Sequence, residues 1–340
     1  MQEIWPQLRE WAIGGERFAL ATVVEASRPS PRGIGSALAV SADGNRFIGS
    51  VSAGCVENEV IQAAVACMVD GQARWLSFGP DSGFPWEISL SCGGRIRVRV
   101  EPYAAQAGSE LSDALSQLLD DRRKGLLLSY RGKHCLLDER GQTGDCEAMP
   151  TELLEAALNR LSNGEGTQEV DWEGEPALMR TLDRPKRLFV IGAAHIAIHL
   201  VGFARSLGFE TIVIDPRETY AREERFLSPP DRLLDQWPKQ ALAGYRIGPD
   251  DCLAAMTHDP KIDDEALSLF LPSKCRYIGA LGSRKSHAAR LKRLSRRGFE
   301  ERDLERIHGP IGLDIGSETP AEIALSVMAE IVKMRSANSR

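Results

Sequence analysis

The sequence of 340 residues has no apolar run near the roughly 20 residues that a membrane-spanning helix needs. Its N-terminus also lacks the basic start and long apolar core of a secretory signal. Seven cysteines occur, an odd number, and no two of them are spaced as C-x-x-C. These absences predict a cytoplasmic protein that keeps its thiols reduced and has no disulfide framework.

An excess of positive charge is also missing, because the formal net charge is −6. This balance argues against nucleic acid or an anionic membrane as the main partner. The basic clusters that do occur are Arg284-Lys285 and residues 290–297, and we interpret the second cluster as a solvated helix face. Hydrophobic residues make up 43% and charged residues 26%, so we expect a globular protein. Its length predicts two domains.

The first half of the chain mixes helical and strand patterns. A strand is predicted from Phe18 to Glu25, and a hairpin between residues 36 and 50 turns at Asp43-Gly44. A helical run then covers residues 56–69, and residues 95–100 alternate with period two. We therefore predict a mixed α+β domain over residues 1–184, with its boundary near Arg184-Pro185.

Two cysteines of this domain lie in unusual surroundings. Cys55 follows the small residues Ser52-Ala53-Gly54 and opens a helix, where free N–H groups and the helix dipole would favour a thiolate. Cys92 precedes Gly93 and Gly94, which let the backbone bend around a ligand. Both are candidate soft-metal ligands, and we expect them to approach one another.

The second half begins with a βαβ pattern between Arg187 and Asp215. An apolar run ends at Gly192, a helical stretch follows, and a second apolar run ends at the acid, as in dinucleotide-binding units. Strands and helices then alternate, which predicts a Rossmann-like, doubly wound parallel sheet over residues 185–340. The predicted strands are 188–191, 211–214, 232–234, 252–256 and 277–281.

The glycine fingerprint of such units is incomplete here. Where G-x-G-x-x-G is expected, the chain has only Gly192, followed by Ala193, Ala194 and His195. The middle glycine normally lets the backbone approach a pyrophosphate, so the methyl group of Ala194 predicts poor binding of NAD. Asp215 is placed to reach a ribose hydroxyl, and Arg217 is placed either to hold a phosphate or to pair with Asp215.

Further candidate ligand contacts follow other strands of the same sheet. Gly282, Ser283 and Arg284 form a second helix start suited to an anion, and His258 follows the strand 252–256. All these residues fall at the carboxyl ends of parallel strands, the edge where such folds bind ligands. His195 and His199 have a metal-ligand spacing but no third ligand beside them. We assign no catalytic residue, because no acid–base or nucleophile–base set is readable.

Several phrases of the sequence together resemble the XdhC/CoxI family. They run through most of the chain: SVSAGCVE, SCGGRIRVRVEP, LFVIGAAHIA with IDPR, THD, YIGALGSRKS and PIGLDIGSETPAEIALSVMAEIV. The family places a cysteine-bearing N-terminal domain before a Rossmann-like domain. Its members are accessory factors that bind the molybdenum cofactor and deliver it to molybdenum hydroxylases.

The resemblance implies a cofactor-binding maturation chaperone rather than an enzyme. Molybdopterin, or a dinucleotide form of it, would place its phosphate at the helix ends and its metal at Cys55 and Cys92. The implied partners are a hydroxylase apo-enzyme such as xanthine dehydrogenase and a cysteine desulfurase, and we expect a homo-oligomer. Two alternatives remain open: an NAD(P)-dependent oxidoreductase, and a thiol-based sulfur-transfer enzyme that acts through Cys55.

Overall fold

The computed structural model describes residues 4–27, 29–30, 32–79, 93–103, 109–121, 123–183 and 186–337. The chain divides into two compact units, Met1–Arg184 and Pro185–Arg340. Among the described residues, no helix is both long and apolar enough to cross a membrane.

The first unit is built on two antiparallel sheets of five strands each, as far as it is described. Its helices are α1 (Trp5–Ile13), α2 (Glu57–Asp70), α3 (Glu110–Asp120) and α4 (Thr151–Asn163). The first sheet holds β1 (Phe18–Ala26), β2 (Ala37–Ser41), β3 (Phe47–Gly49), β4 (Arg74–Phe78) and β5 (Ile96–Pro102), in the order β3-β2-β1-β5-β4. The second holds β6 (Gly125–Tyr130), β7 (Lys133–Asp138), β8 (Gly141–Gly144), β9 (Gln168–Trp172) and β10 (Glu175–Leu182), in the order β8-β7-β6-β10-β9.

The central strand β1 is buried on both faces because its residues alternate between two cores. Ala19 and Val23 pack with residues of α2 and β5. Phe18 and Leu20 pack in a second core with α1 and α3. The two faces of one strand thus hold helices on opposite sides of the first sheet.

The second unit contains an all-parallel sheet, which confirms the predicted Rossmann-like fold. Its strands are β11 (Arg187–Ile191), β12 (Glu210–Ile214), β13 (Arg232–Leu234), β14 (Asp251–Ala255), β15 (Tyr277–Ala280) and β16 (Ile307–His308), in the order β13-β12-β11-β14-β15-β16. Its helices are α5 (His195–Ser206), α6 (Pro238–Ala241), α7 (Pro260–Phe270), α8 (Arg284–Arg296), α9 (Glu301–Leu304) and α10 (Pro320–Ala337).

The helices of this unit cover both faces of the sheet. Leu188 and Val190 of β11 pack in a core with α5 and α10, whereas Phe189 and Ile191 pack in another with α6, α7 and α8. The order in which successive strands are added to the sheet reverses between β11 and β14, which pair with each other in parallel. This reversal creates a crevice at the carboxyl ends of β11 and β14, where open parallel sheets bind their ligands.

The structure departs from the sequence predictions in the first unit. The strands β8, β9 and β10 were not predicted, and β16 is also new in the second unit. Cys135 and Cys146 form a disulfide with Cα atoms 4.9 Å apart, so the expectation of a fully reduced thiol set is wrong. The reason is the β7–β8 hairpin, which pairs Cys135 with Gly144 and returns the chain to place Cys146 beside it.

Candidate functional site

The loops after β11 and β14 contact each other at the crevice. Gly192 has a φ of 104°, and a Cβ there would lie 2.9 Å from Cγ2 of Thr257. A side chain at position 192 would therefore push the two loops apart. The next residue after Thr257 is the exposed His258, whose φ of 62° is uncommon outside glycine. The structure thus places Gly192 and His258, both predicted site residues, on neighbouring loops.

Helix α5 begins at this crevice without a side-chain cap. Its N-cap residue, Ala194, has an extended backbone and no side chain able to accept a hydrogen bond from the first turn. His195, the first helical residue, is exposed. The first-turn N–H groups of a helix have no acceptor within the helix, so an uncapped start favours an anion.

Asp215 is fully buried and committed to the loop that precedes α5. Its Oδ2 accepts hydrogen bonds from Ala193 N at 2.9 Å and from Arg217 Nη2 at 2.8 Å, and its Oδ1 accepts from Arg217 Nε at 2.9 Å. Burial opposes its ionisation, but the hydrogen bonds from Arg217 and Ala193 outweigh burial and lower its pKa. Of the two roles predicted for Arg217, the structure shows the pairing with Asp215. A ribose hydroxyl would have to compete with these donors for the carboxylate of Asp215.

Two arginines contact one aromatic ring beside the same loop. The guanidinium carbon of Arg217 lies 4.2 Å from the ring centroid of Tyr220, and that of Arg225 lies 5.0 Å from it. Arg225 also donates from Nη1 to Ala193 O at 2.9 Å. Tyr220 and Arg225 were not predicted, since nothing in the surrounding charged segment marks them as different from a solvated loop.

Helix α7, which follows the loop after β14, contains a buried acid that sequence reasoning missed. Asp263, only 1% exposed, accepts hydrogen bonds at Oδ1 from the hydroxyl of Thr257 at 2.7 Å and from its N–H at 3.1 Å. Burial raises the pKa of this carboxyl group, although the Thr257 bonds oppose the change. Asp263 therefore fixes the loop that carries His258.

Helix α8 begins after β15, the neighbour of β14 in the sheet. Gly282 has a φ of 138°, and Ser283 is the N-cap residue, with Oγ accepting from Ser286 N at 3.2 Å. Arg284, the first helical residue, is exposed. The three predicted residues of this helix start are thus adjacent on the carboxyl edge of the sheet.

In the first unit, the loop before α2 is folded around the carboxylate of Glu57. Cys55 lies half-buried in this loop, and Ala53 has a φ of 62°. Oε1 of Glu57 accepts from three donors, which are Ser50 Oγ at 2.6 Å, Val51 N at 3.2 Å and Ser52 N at 3.0 Å. Its Oε2 accepts from three more, which are Ser52 Oγ, Gly54 N at 2.9 Å and Val56 N at 3.2 Å.

This arrangement corrects the expectation that free N–H groups surround Cys55. The N–H of Cys55 itself donates to Ser52 Oγ at 2.9 Å, and those of Gly54 and Val56 reach Glu57. These N–H groups therefore donate to acceptors within the loop and to the carboxylate of Glu57, and not to the Cys55 thiolate. Glu57 was not predicted as part of the site, although its position two residues after Cys55 was visible.

The second candidate cysteine, Cys92, lies outside the described residues, and so does its expected approach to Cys55. Gly93, which follows it, is described and has a φ of 71° with an exposed position. A Cβ on the next residue, Gly94, would collide with Pro29 O, so the second glycine serves close packing of the backbone. Within the described ranges, no group of three or more His, Cys, Asp or Glu side chains could hold a metal ion.

Comparisons with known proteins give a consistent set of relatives. Residues 188–331 match a family described as the XdhC Rossmann domain, and residues 11–79 match the XdhC and CoxI family. The chain is 27% identical over 323 residues to a probable xanthine dehydrogenase subunit of Bacillus subtilis (strain 168), covering 94% of both chains. It is 26% identical over 328 residues to the molybdenum cofactor insertion chaperone PaoD of Escherichia coli (strain K12), covering 96% of this chain and 86% of the relative.

A solved structure has a similar fold along nearly the whole chain. It is a crystal structure described as a xanthine dehydrogenase from Bacillus halodurans, with a TM-score of 0.75 and 25% identity. The match covers 97% of this chain and 95% of the other.

Proposed function

Because this chain belongs to the XdhC and CoxI family, we propose that it is a maturation factor that binds the molybdenum cofactor and delivers it to a molybdenum hydroxylase. The relative PaoD is named a molybdenum cofactor insertion chaperone, and the Bacillus subtilis relative is named a probable xanthine dehydrogenase subunit. The proposed client is accordingly an apo-enzyme of the xanthine dehydrogenase type. The cofactor is cargo in this role, so the chain needs to hold and release it rather than transform it.

The observation that carries the proposal is the carboxyl edge of the sheet in the second unit. Helices α5 and α8 both begin there, and α5 begins without a side-chain cap. Helix starts bind phosphate groups well, and a pterin cofactor has one. We propose that the phosphate binds at this edge, with Gly192, Ala193 and His195 at the start of α5 and Ser283 at the start of α8 as the candidate contacts.

Cys55 of the first unit is the proposed ligand for the metal or its sulfur. Thiolates suit soft transition-metal centres, and Cys55 is half-buried in a loop that Glu57 holds in one conformation. Among the described cysteines outside the disulfide, those at positions 67, 252 and 275 are buried and less suited. Cys67 is fully buried, and burial raises the pKa of its thiol to about 11.

The experiment that tests the proposal measures molybdenum and pterin on protein purified from a host that makes the cofactor. Elemental analysis and pterin fluorescence should both detect cofactor on the unaltered chain. The Cys55→Ala variant should fold, because a half-buried thiol contributes little to the core. It should retain less metal, because the proposed thiolate ligand is gone. Cys67→Ala is the matched control, since it removes a thiol that no ligand reaches. Equal cofactor retention in both variants would show that Cys55 does not bind the cofactor.

Delivery is tested with a cofactor-free hydroxylase. Addition of the loaded protein should activate the client and transfer molybdenum to it. We also propose that the delivered cofactor is sulfurated and that a cysteine desulfurase donates the sulfur. We propose further that the protein is cytoplasmic and forms a homo-oligomer. If the client reaches full activity at the same rate without this protein, the delivery role fails.

A further inference from the structure

One face of α8 is polar, and its residues change from exposed at the start of the helix to buried at Arg290. Ser283, Ser286, His287 and Arg290 are spaced at helical intervals along it. A Cβ on Gly282 would lie 3.2 Å from Cβ of Ser286 and 3.8 Å from Nη2 of Arg290, so these side chains converge below the start of the helix. Arg290 belongs to the cluster that the sequence suggested was solvated.

Arg290 is in fact buried, with 4% of its surface exposed. Its Nη2 donates to Leu281 O at 2.7 Å, in the loop that leads into α8. Its Nε and Nη1 are buried and have no hydrogen-bond acceptor among the described residues. A buried guanidinium with unused donors is costly, so the side chain points to an acceptor that the protein itself does not supply.

The nearest negative charge compensates for Arg290 only in part. Asp263 Oδ2 lies 3.9 Å from Arg290 Nη2, while Oδ1 of Asp263 is occupied by Thr257. His287, on the same helix face, has a buried Nδ1 without a partner in the described part of the chain. A cation at the positive end of a helix dipole is unfavourable, and this too is relieved by an anion.

We propose that the start of α8 is a subsite for the phosphate group of a monoester, with Arg290 as its buried counter-charge. The N–H groups of Arg284 and Lys285 have no acceptor within the helix and would bind the phosphate oxygens. Ser283 and Ser286 would add hydroxyl donors, and the buried guanidinium of Arg290 would supply the positive charge. The exposed side chains of Arg284 and Lys285 are not required. This subsite deepens the proposed function, since it lies on the same edge of the sheet.

Calorimetric titration of inorganic phosphate into the full-length protein tests the subsite without any cofactor. Arg290→Gln should weaken phosphate binding by about tenfold or more, because a charge-assisted hydrogen bond is lost. Arg296→Gln, which alters an exposed arginine at the other end of α8, is the matched control and should change the affinity by less than about threefold. Equal losses in the two variants would overturn the role of Arg290.

A second variant covers the case in which Arg290→Gln does not fold. Ser283→Asp keeps a good N-cap residue but places a fixed negative charge at the helix start. It should fold normally and lose phosphate binding at this subsite. Unchanged phosphate binding in Ser283→Asp would contradict the proposal. Failure of the proposed function is a different result, since it would appear as no pterin binding by the unaltered chain, whatever the phosphate titration gives.

Discussion

Two short loops of this protein each lead into a helix, but they differ in what accepts hydrogen bonds from their N–H groups. The loop before α2 and the loop before α8 both contain small residues followed by a helix. In the first loop, Glu57 receives six hydrogen bonds from the residues around Cys55. Among the described residues, no carboxylate accepts hydrogen bonds from the second loop, and a buried arginine donates to it. We infer that a helix start is available to an external anion only where no carboxylate of the chain already accepts from its N–H groups.

The largest expected effect comes from removing the internal anion of the first loop. Glu57→Gln replaces one acceptor oxygen with an amide donor, which opposes the N–H and hydroxyl groups that now point at it. We expect the free energy of unfolding of the first unit to fall by about 2–4 kcal/mol. Urea unfolding of the full-length protein measures this change. Glu59→Gln, on the same first turn of α2, is the control and should change little.

The same carboxylate should also make the first unit sensitive to acid. Burial opposes ionisation of Glu57, but hydrogen bonds from Ser50 and Ser52 lower its pKa from 4.5 to about 2. A lowered pKa stabilises the folded state above pH 4.5, and this contribution is lost as the pH falls toward about 2. The stability difference between the unaltered protein and Glu57→Gln should therefore shrink across that window. A difference that stays constant with pH would show that the charge of Glu57 is not what holds the loop.

A smaller effect is expected at Asp215 in the second unit. Asp215→Asn loses charge-assisted bonds to Ala193 N and Arg217, and we expect the free energy of unfolding of that unit to fall by about 2 kcal/mol. Glu218→Gln, which alters an exposed neighbour, is the matched control. A stable Asp215→Asn variant that loses only nucleotide affinity would instead support a ribose-binding role.

The smallest effect is expected at Tyr220. Tyr220→Leu removes the ring that both Arg217 and Arg225 contact but keeps an apolar side chain. Each cation–ring contact at a partly exposed site contributes about 0.5–1 kcal/mol, so the unfolding free energy should fall by roughly 1 kcal/mol. Phosphate affinity should change less than in Arg290→Gln. If Tyr220→Leu lost more phosphate affinity than Arg290→Gln, the phosphate would bind at the start of α5 rather than at the start of α8.

The sequence predicted most of the parallel sheet because strands such as β11, β12 and β15 are short apolar runs closely followed by a glycine or an acid, whereas the two-residue β16 was missed. Strands such as β9 were missed because its sequence, QEVDW, is mostly polar and only half-buried. Glu57 and Arg290 were missed for a different reason. Each is a charged residue on a helix, and only tertiary packing shows that one receives the loop's donors and the other is buried. Side-chain partners of this kind depend on contacts between elements, which helical or strand periodicity does not encode.

The most direct test of the account is a pair of calorimetric titrations on the unaltered protein, one with the molybdenum cofactor and one with NADH. The cofactor should bind at least about tenfold more tightly, because Ala194 presents a methyl group where a dinucleotide pyrophosphate needs bare backbone. NADH should show weak binding and no turnover of a small substrate. Tight NADH binding coupled to turnover, with no measurable pterin binding, would contradict the account.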